Sequence, residues 1–491
     1  MKNVLRAVLV FAFLTGGSVL GREVAVRDAA GLRDALRRVR PGDTIKLASG
    51  DYGAGVWISK ISGTKDKPVV IAGADERKPP LFSGGAEAIH LSDCNYLVLR
   101  NIKVSGCSGN GVNADDGGSF DTPSKGVVFE NITIENVGPR GNRDALKLSG
   151  LDDFLVTGCT LSGWGGSAID MVGCHEGVIE KCKFIGRKGY SQSSGIQAKG
   201  GSENVIIRRN FFKNAGTRAV NIGGSTGLKY FRPKLRDYEA KGVIVEGNHF
   251  VGGMAPVAYV TSTDCIVRRN TIVHPDKWVM RILQEQPTDK FQPCQKGVFE
   301  DNLIVFDRRV RTFVNVGRNT LPKSFTFRRN AWFCSDGARR PSLPARETQG
   351  VYQVDPKLEN AETPEIKMKS KDPRLRNVGA HGMASERKGA LSLGKLVTPN
   401  YIVTVKHMCQ KEGCVACDNI LYHGVSRKTG KAITLKGSTM HQRGSYGAPS
   451  RHLGYRFRSG GTSYTVHNGG LLQVRCADSG KMLVEEKGAW D

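Results

Sequence analysis

The stretch 204-NVIIRRNFF-212 reads as a short β-branched run, a polar pair, an asparagine and another apolar pair. The same arrangement recurs as YLVLRNIKV (96–104), GVVFENITI (126–134), FLVTGCTLS (154–162), GVIEKCKFI (177–185) and GVIVEGNHF (242–250). It continues through CIVRRNTIV (265–273), GVFEDNLIV (297–305) and FTFRRNAWF (325–333). The Asn or Cys falls at Asn101, Asn131, Cys159, Cys182, Asn210, Asn248, Asn270, Asn302 and Asn330, with successive spacings of 22 to 38 residues. A period in this range, carried by strands without helices, marks a solenoid. The expected fold is all-β: a right-handed parallel β-helix in which residues 45–355 stack as coils around a narrow apolar tube. At one corner the Asn side chains are expected to form a hydrogen-bonded ladder that satisfies the bending backbone. Cys159 and Cys182 occupy ladder positions and read as buried structural thiols.

The flanks complete this organisation. In DAAGLRDALRRVRPGDTIKLASGDY (28–52), Leu32, Leu36 and Val39 share a helical face that Pro41-Gly42 ends, and the strand TIKLA follows. A short amphipathic helix there would cap the first coil and shield its edge. The domain expectation is a leader (1–21), a β-helix (22–383), a polar linker (384–394) and a small β-rich domain (395–491). Within the last, YIVTVKH, AITLKG, YRFRSGG, TSYTVHNGG, LLQVRCA and KMLVEE alternate strand and turn signals.

The leader MKNVLRAVLVFAFLTGGSVLG has a basic start at Lys2 and Arg6 and an apolar run too short to span a membrane. It predicts an exported protein, secreted, periplasmic or at the cell surface, with no transmembrane segment and acting as a monomer. The chain carries 72 Lys and Arg against 46 Asp and Glu, a formal net charge of +26. Such a surface favours polyanions. Export sets nucleic acid aside and leaves acidic polysaccharide as the expected partner.

Four coils share a seven-residue pattern: DALKLSG (144–150), SAIDMVG (167–173), SGIQAKG (194–200) and RAVNIGG (218–224). Strand side chains alternate, so the third and fifth members point inward and their neighbours point out. One outward column then holds Lys147, Asp170, Gln197 and Asn221 and extends through Ala258 and Arg281; a second holds Ser149, Val172, Lys199 and Gly223. Coils about 4.8 Å apart gather these groups into a sugar-sized patch. The insertion STGLKYFRPKLRDYEAKG (225–242) follows, and long loops in regular solenoids tend to be functional. Its Tyr230, Phe231 and Arg232 are expected to supply a stacking wall and an anion contact.

RPGDTIKLASGDY (40–52), GTKDKPVVIAG (63–73) and AKGGSENVIIRRNFFKNAGT (198–217) resemble the β-helix polysaccharide lyases of family six, which include alginate lyases and chondroitinase B. The resemblance spans roughly residues 24–380 in architecture, with specific motifs over about fifty. It implies β-elimination on a uronate chain, with Lys199 at the place of the family's Brønsted base. The family's arginine falls at Asn221, and its calcium-binding acidic residue has no clear counterpart, Ser194 lying nearest. Elimination requires removal of the proton α to the C6 carboxylate and neutralisation of that carboxylate. Asn221, Arg218 and Arg281 are the candidates for neutralisation, with no cofactor required and Ca²⁺ as the alternative. Lys147, Asp170 and Gln197, with Tyr230 and Arg232, are the candidates for binding the chain. Two other readings share these residues: a non-catalytic glycan-binding or cell-surface β-helix, and a uronate C5 epimerase. A hydrolase with paired carboxylates is weaker, because the outward column offers only Asp170.

HMCQKEGCVAC sets Cys409, Cys414 and Cys417 in C-x4-C-x2-C spacing, with Cys476 farther on and His407 and His423 nearby. That spacing resembles an iron–sulfur loop. In an exported chain two disulfides are the first reading and a structural zinc the second. The sequence does not fix the pairing.

Overall fold

The computed structural model describes residues 21–381, 391–407, 419–443 and 449–490. Residues 1–20 of the expected leader, and Cys409, Cys414 and Cys417, lie outside the described residues. Helix α1 (Ala29–Leu36) is capped by Asp28, whose carboxylate accepts from the Gly31 backbone N–H at 2.7 Å. Leu32 is buried, and Leu36 and Val39 pack against the same core. The helix ends at Leu36, so Val39 adds its contact from beyond the last turn.

From Glu23 to Tyr352 the chain winds into three long parallel sheets of 13, 11 and 10 strands, a parallel β-helix. Most strands are three or four residues long and alternate buried with part-exposed positions. Inward residues meet their equivalents one coil away. Phe184, Phe212 and Phe250 stack in this way with successive centroid separations of 4.7 Å. Such offset stacks add to the burial of each ring.

The corner ladder is present, with one revision. Asn210, Asn248, Asn270, Asn302 and Asn330 are buried, and each Oδ1 from Asn248 onward accepts the backbone N–H and the Nδ2 of the preceding Asn at 2.9–3.0 Å. Asn210 accepts from the Cys182 backbone N–H, and Asn330 ends the ladder on Glu347. Register aligns Ile102, Ile132, Cys159 and Cys182 with this position. Asn101 and Asn131 therefore sit one residue earlier, with φ of +54° and +52°. Asparagine serves there because it tolerates the left-handed bend, a different reason from the ladder's. Cys159 and Cys182 are buried free thiols, as expected.

The C-terminal sheet is separate and antiparallel. The strands of the ten-stranded parallel sheet are labelled β1–β10 below, and this sheet takes β11–β19. It runs as a meander through β11 (Leu391–Val397), β12 (Tyr401–His407), β13 (Ile420–Ser426), β14 (Ala432–Arg443) and β15 (Pro449–Ser459). β16 (Thr462–His467), β17 (Leu471–Cys476), β18 (Met482–Lys487) and β19 (Ala489–Trp490) complete it. β18 pairs with β17, whereas β19 pairs with β11. Only Gly488 separates β18 from β19, so the sheet closes on itself as a small barrel around Leu396, Val403, Tyr422, Phe457 and Leu472. Closure removes the exposed edges that a meander would otherwise present. β11 begins inside the segment expected as linker, because its alternating LSLGKLV pattern continues the sheet. Cys476, on β17, is a free thiol.

Candidate functional site

The ten-stranded sheet carries the chemistry-bearing face. Its strands are β1 (Val56–Ser59), β2 (Ile89–Ser92), β3 (Val112–Asp115), β4 (Leu146–Ser149), β5 (Ser167–Val172), β6 (Ser194–Lys199), β7 (Arg218–Gly223), β8 (Val257–Val260), β9 (Met280–Leu283) and β10 (Val314–Val316). Register places Lys147, Asp170, Gln197, Asn221, Ala258 and Arg281 in one row. Ser149, Val172, Lys199 and Gly223 lie in a second row two residues on. Period-2 alternation on in-register parallel strands is sufficient to build both rows.

Asp170 is the electrostatic centre. Its side chain is fully buried, with Lys147 Nζ 2.6 Å from Oδ2 and Lys199 Nζ 3.0 Å from Oδ1. The Lys199 contact is an ion pair on the carboxylate oxygen that Lys147 does not use. Lys147 also donates to Asp144 at 3.1 Å, and Asp144 accepts the Ser167 backbone N–H at 2.7 Å. Burial opposes the charge on Asp170, but Lys199 and Lys147 outweigh it and hold its carboxyl below the ordinary range. Asp144, buried and repelled by Asp170, is instead pushed up. Burial opposes the charge on Lys147, yet Asp170 and Asp144 raise its pKa. A buried Asp170 does not reach a ligand. It positions the two lysines, which revises its expected substrate contact.

Beyond this triad the face turns cationic. Arg218 donates to Glu285 at 2.6 Å and to Asn221 Oδ1 at 3.3 Å, and Arg281 donates to Asn315 at 2.9 Å while lying over the Trp278 ring. Burial and the neighbouring Arg218 charge depress the pKa of Arg281. Two crowded guanidiniums with one carboxylate between them favour an incoming anion. Asn221 is buried, donating to the Gly223 carbonyl and accepting from Arg218, so it orients Arg218 without meeting a substrate carboxylate itself. Gln197 stays part-exposed, with Nε2 on the Gly223 carbonyl at 3.3 Å. Ala258, in the same row, is buried in an apolar cluster with Val260 and Leu283.

The 225–242 insertion forms a wall beside these strands, but not the one expected. Phe231 is buried and packs against Phe291, so it is a core residue of the insertion. Arg232 makes a 2.6 Å ion pair with the fully buried Asp116 and lies over the Phe120 ring. Its charge is thereby neutralised, and it braces the loop without presenting an anion contact. The backbone leaves room for it at Gly173 (φ +59°), where a Cβ would stand 2.4 Å from that of Arg232. Buried Glu239 ties the insertion to the site by accepting from the Gly200 and Thr226 backbone N–H groups and from Gln286. Tyr230 is half-exposed.

Asp144, Glu285 and the beginning of the row are not marked by the outward columns of the four heptads. Trp57, His90 and Asn113 precede Lys147 in register, and AIHLSD and GVNADD repeat the same alternation as the four heptads. The residues do not fit a calcium site. Asp170 and Asp144 are engaged by lysines and Glu285 by Arg218, and no cluster of three or more His, Cys, Asp or Glu able to hold a metal occurs among the described residues.

The family model described as "Right handed beta helix region" matches residues 87–272, in agreement with the coils above. No curated protein matches the chain. Among solved structures, an alginate lyase from Paenibacillus sp. str. FPU-7 is similar at 18% identity and TM-score 0.42, over 68% of this chain and 99% of that one. A rhamnogalacturonan lyase is similar at 12% identity and TM-score 0.48, over 73% and 100%. The GH136 lacto-N-biosidase from Eubacterium ramulus is similar at 12% identity and TM-score 0.39, over 68% of each chain. The fold is a right-handed parallel β-helix with an antiparallel β domain after it. These likenesses concern architecture and do not assign an activity. Among the described residues no helix is long and apolar enough to cross a membrane.

Proposed function

We propose that the β4–β9 face binds an acidic polysaccharide and that Lys199 removes the proton α to a uronate carboxylate. The observation that carries this reading is the arrangement of Lys147 and Lys199 around one buried carboxylate, with Arg218 and Arg281 on the following coils. The family-six resemblance of the Lys199 coil supports the same assignment. In the proposed step Lys199, displaced from Asp170, first gives up a proton to water; its neutral Nζ then takes the C5 proton and the C4–O bond breaks. The electron pair of the C–H bond becomes the C4=C5 double bond, and water protonates the leaving oxygen. Arg218 and Arg281 stabilise the charge that develops on the carboxylate. Lys147, held as a cation, orients the adjoining unit.

One observation favours a second reading, a glycan-binding β-helix without turnover. Lys199 Nζ rests 3.0 Å from Asp170 as an ammonium, and to accept a proton it must leave that carboxylate and first lose one of its own. Incubation with alginate, pectate, chondroitin sulfate and dermatan sulfate, followed by ultraviolet absorbance of unsaturated uronate, separates the two. Rising absorbance on one polymer is the expected result. Retention of an acidic polymer with no absorbing product would leave the binding module in place of the lyase.

A further inference from the structure

Trp57, at the outward position of β1, is 60% exposed. Its ring stacks on His90 with centroids 4.0 Å apart and planes 28° from parallel. His90 is itself fixed, with Nδ1 2.7 Å from Glu87 and Nε2 2.7 Å from Asp115. Ser92 donates to Asp115 at 2.9 Å, and Asn113 donates to Glu87. The indole therefore rests on a braced floor while most of its surface stays in water. Leaving so large an apolar surface uncovered is unfavourable, and burial of the ring by a ligand would recover that free energy. The Glu87 and Asp115 side chains keep 26% and 27% exposure, so each can still accept a hydrogen bond beside the ring.

We propose that Trp57, flanked by Glu87 and Asp115, is a sugar-stacking subsite for an uncharged pyranose of an extended glycan. The inference rests on the reading of this face as a polysaccharide site. The C–H face of a pyranose is apolar and fits the indole, while its hydroxyls can donate to the two carboxylates. A uronate placed there would meet two carboxylates against one imidazolium, whereas at Arg218 and Arg281 it meets cations. Four strand steps separate Trp57 from Asp170, roughly 19 Å at the usual spacing. The chain must therefore span several units and carry neutral sugars among its acidic ones.

The test is calorimetric titration of the full chain with tetra- and decasaccharides of hyaluronan, chondroitin and alginate, in wild type, Trp57→Ala and Trp57→Phe. A hyaluronan or chondroitin decasaccharide should bind about tenfold tighter than its tetrasaccharide, the scale of one aromatic contact. Trp57→Ala should erase that gain, Trp57→Phe should keep part of it, and alginate, carboxylated at every unit, should show no dependence on Trp57. An unchanged length gain in Trp57→Ala overturns the proposal, as does equal dependence with alginate or failure of wild type to bind any decasaccharide. Because titration reads binding alone, a Trp57-dependent gain without unsaturated product would sink the elimination reading and leave this subsite standing.

Discussion

Asp170 holds two lysines in place, so substitution at either end of that contact has a calculable direction. Removing Lys199 leaves Asp170 with Lys147 at 2.6 Å, whereas removing the carboxylate leaves two neighbouring ammonium groups with one fewer counter-charge. Lys199→Ala should lower turnover by about a hundred- to ten-thousand-fold, the usual loss for a general base. Its stability cost should be about 1–2 kcal/mol, more than for a solvated lysine, because the Lys199 side chain is 15% exposed and Asp170 keeps Lys147. Asp170→Asn should cost about 3–5 kcal/mol, as for breaking a buried pair. Urea unfolding of both variants checks the order; an Asp170→Asn protein as stable as wild type would contradict it. At His90, burial opposes the charge, but the hydrogen bonds it donates to Asp115 and Glu87 raise its pKa from 6.5 to about 9. The folded value lies above the unfolded one, so this stabilisation is complete below pH 6.5 and fades as pH rises through about 9. Partial exposure discounts it to about 1–2 kcal/mol. The stability advantage of wild type over His90→Gln should shrink by that amount across this window, and a flat profile would remove the charge from the account.

The Asn ladder and the bends beside it use the same residue type for separate physical ends. Asn270 is buried, and its Oδ1 accepts both the backbone N–H and the Nδ2 of Asn248. Asn270→Ala orphans the Asn248 backbone N–H and leaves its Nδ2 with the Ile207 carbonyl alone, and each unsatisfied buried group costs about 1–3 kcal/mol. The expected loss is about 2–4 kcal/mol in chemical denaturation. Asn131 is exposed and its role is the left-handed φ of +52°, so Asn131→Gly should be neutral within about 0.5 kcal/mol. Equal costs at the two positions would mean that the ladder bonds contribute nothing particular. The glycines after β4 and β5, Gly150 and Gly173, act at the same scale: absence of a side chain there lets the insertion's Arg232 approach Asp116.

At the scale of the whole molecule the formal charge of +26 sets a field that any polyanion meets before contact. Screening shortens its reach from about 10 Å at 0.1 M salt to about 3 Å at 1 M. Affinity for an acidic polymer should therefore fall at least about tenfold between 0.05 M and 0.5 M salt, chiefly through the association rate. A neutral polymer measured in parallel should show little change. Salt-independent retention of the acidic polymer would place recognition in the Trp57 end and its hydrogen bonds, away from the lysines and arginines.

Residue order alone fixed the coil and its repeat, because period-2 alternation on a 22–38-residue repeat permits one stacking in which apolar residues face a common tube. It also fixed the rows, since in-register parallel pairing carries equivalent residues to the same height. Lys147, Asp170, Gln197, Asn221 and Arg281 were legible for that reason. Depth was not. Alternation says which way a side chain points, while its burial depends on loops that arrive from elsewhere in the chain. Asp170, Asn221 and Ala258 point outward yet are buried, and Phe231 and Arg232 on the insertion are engaged by Phe291 and Asp116. The one-residue offset of Asn101 and Asn131 has the same origin, for a bend and a ladder rung are neighbours in sequence and only the three-dimensional register tells them apart. The stacking of Trp57 on a histidine held by two carboxylates likewise required the coils to be wound, because its four residues come from three different turns of the chain.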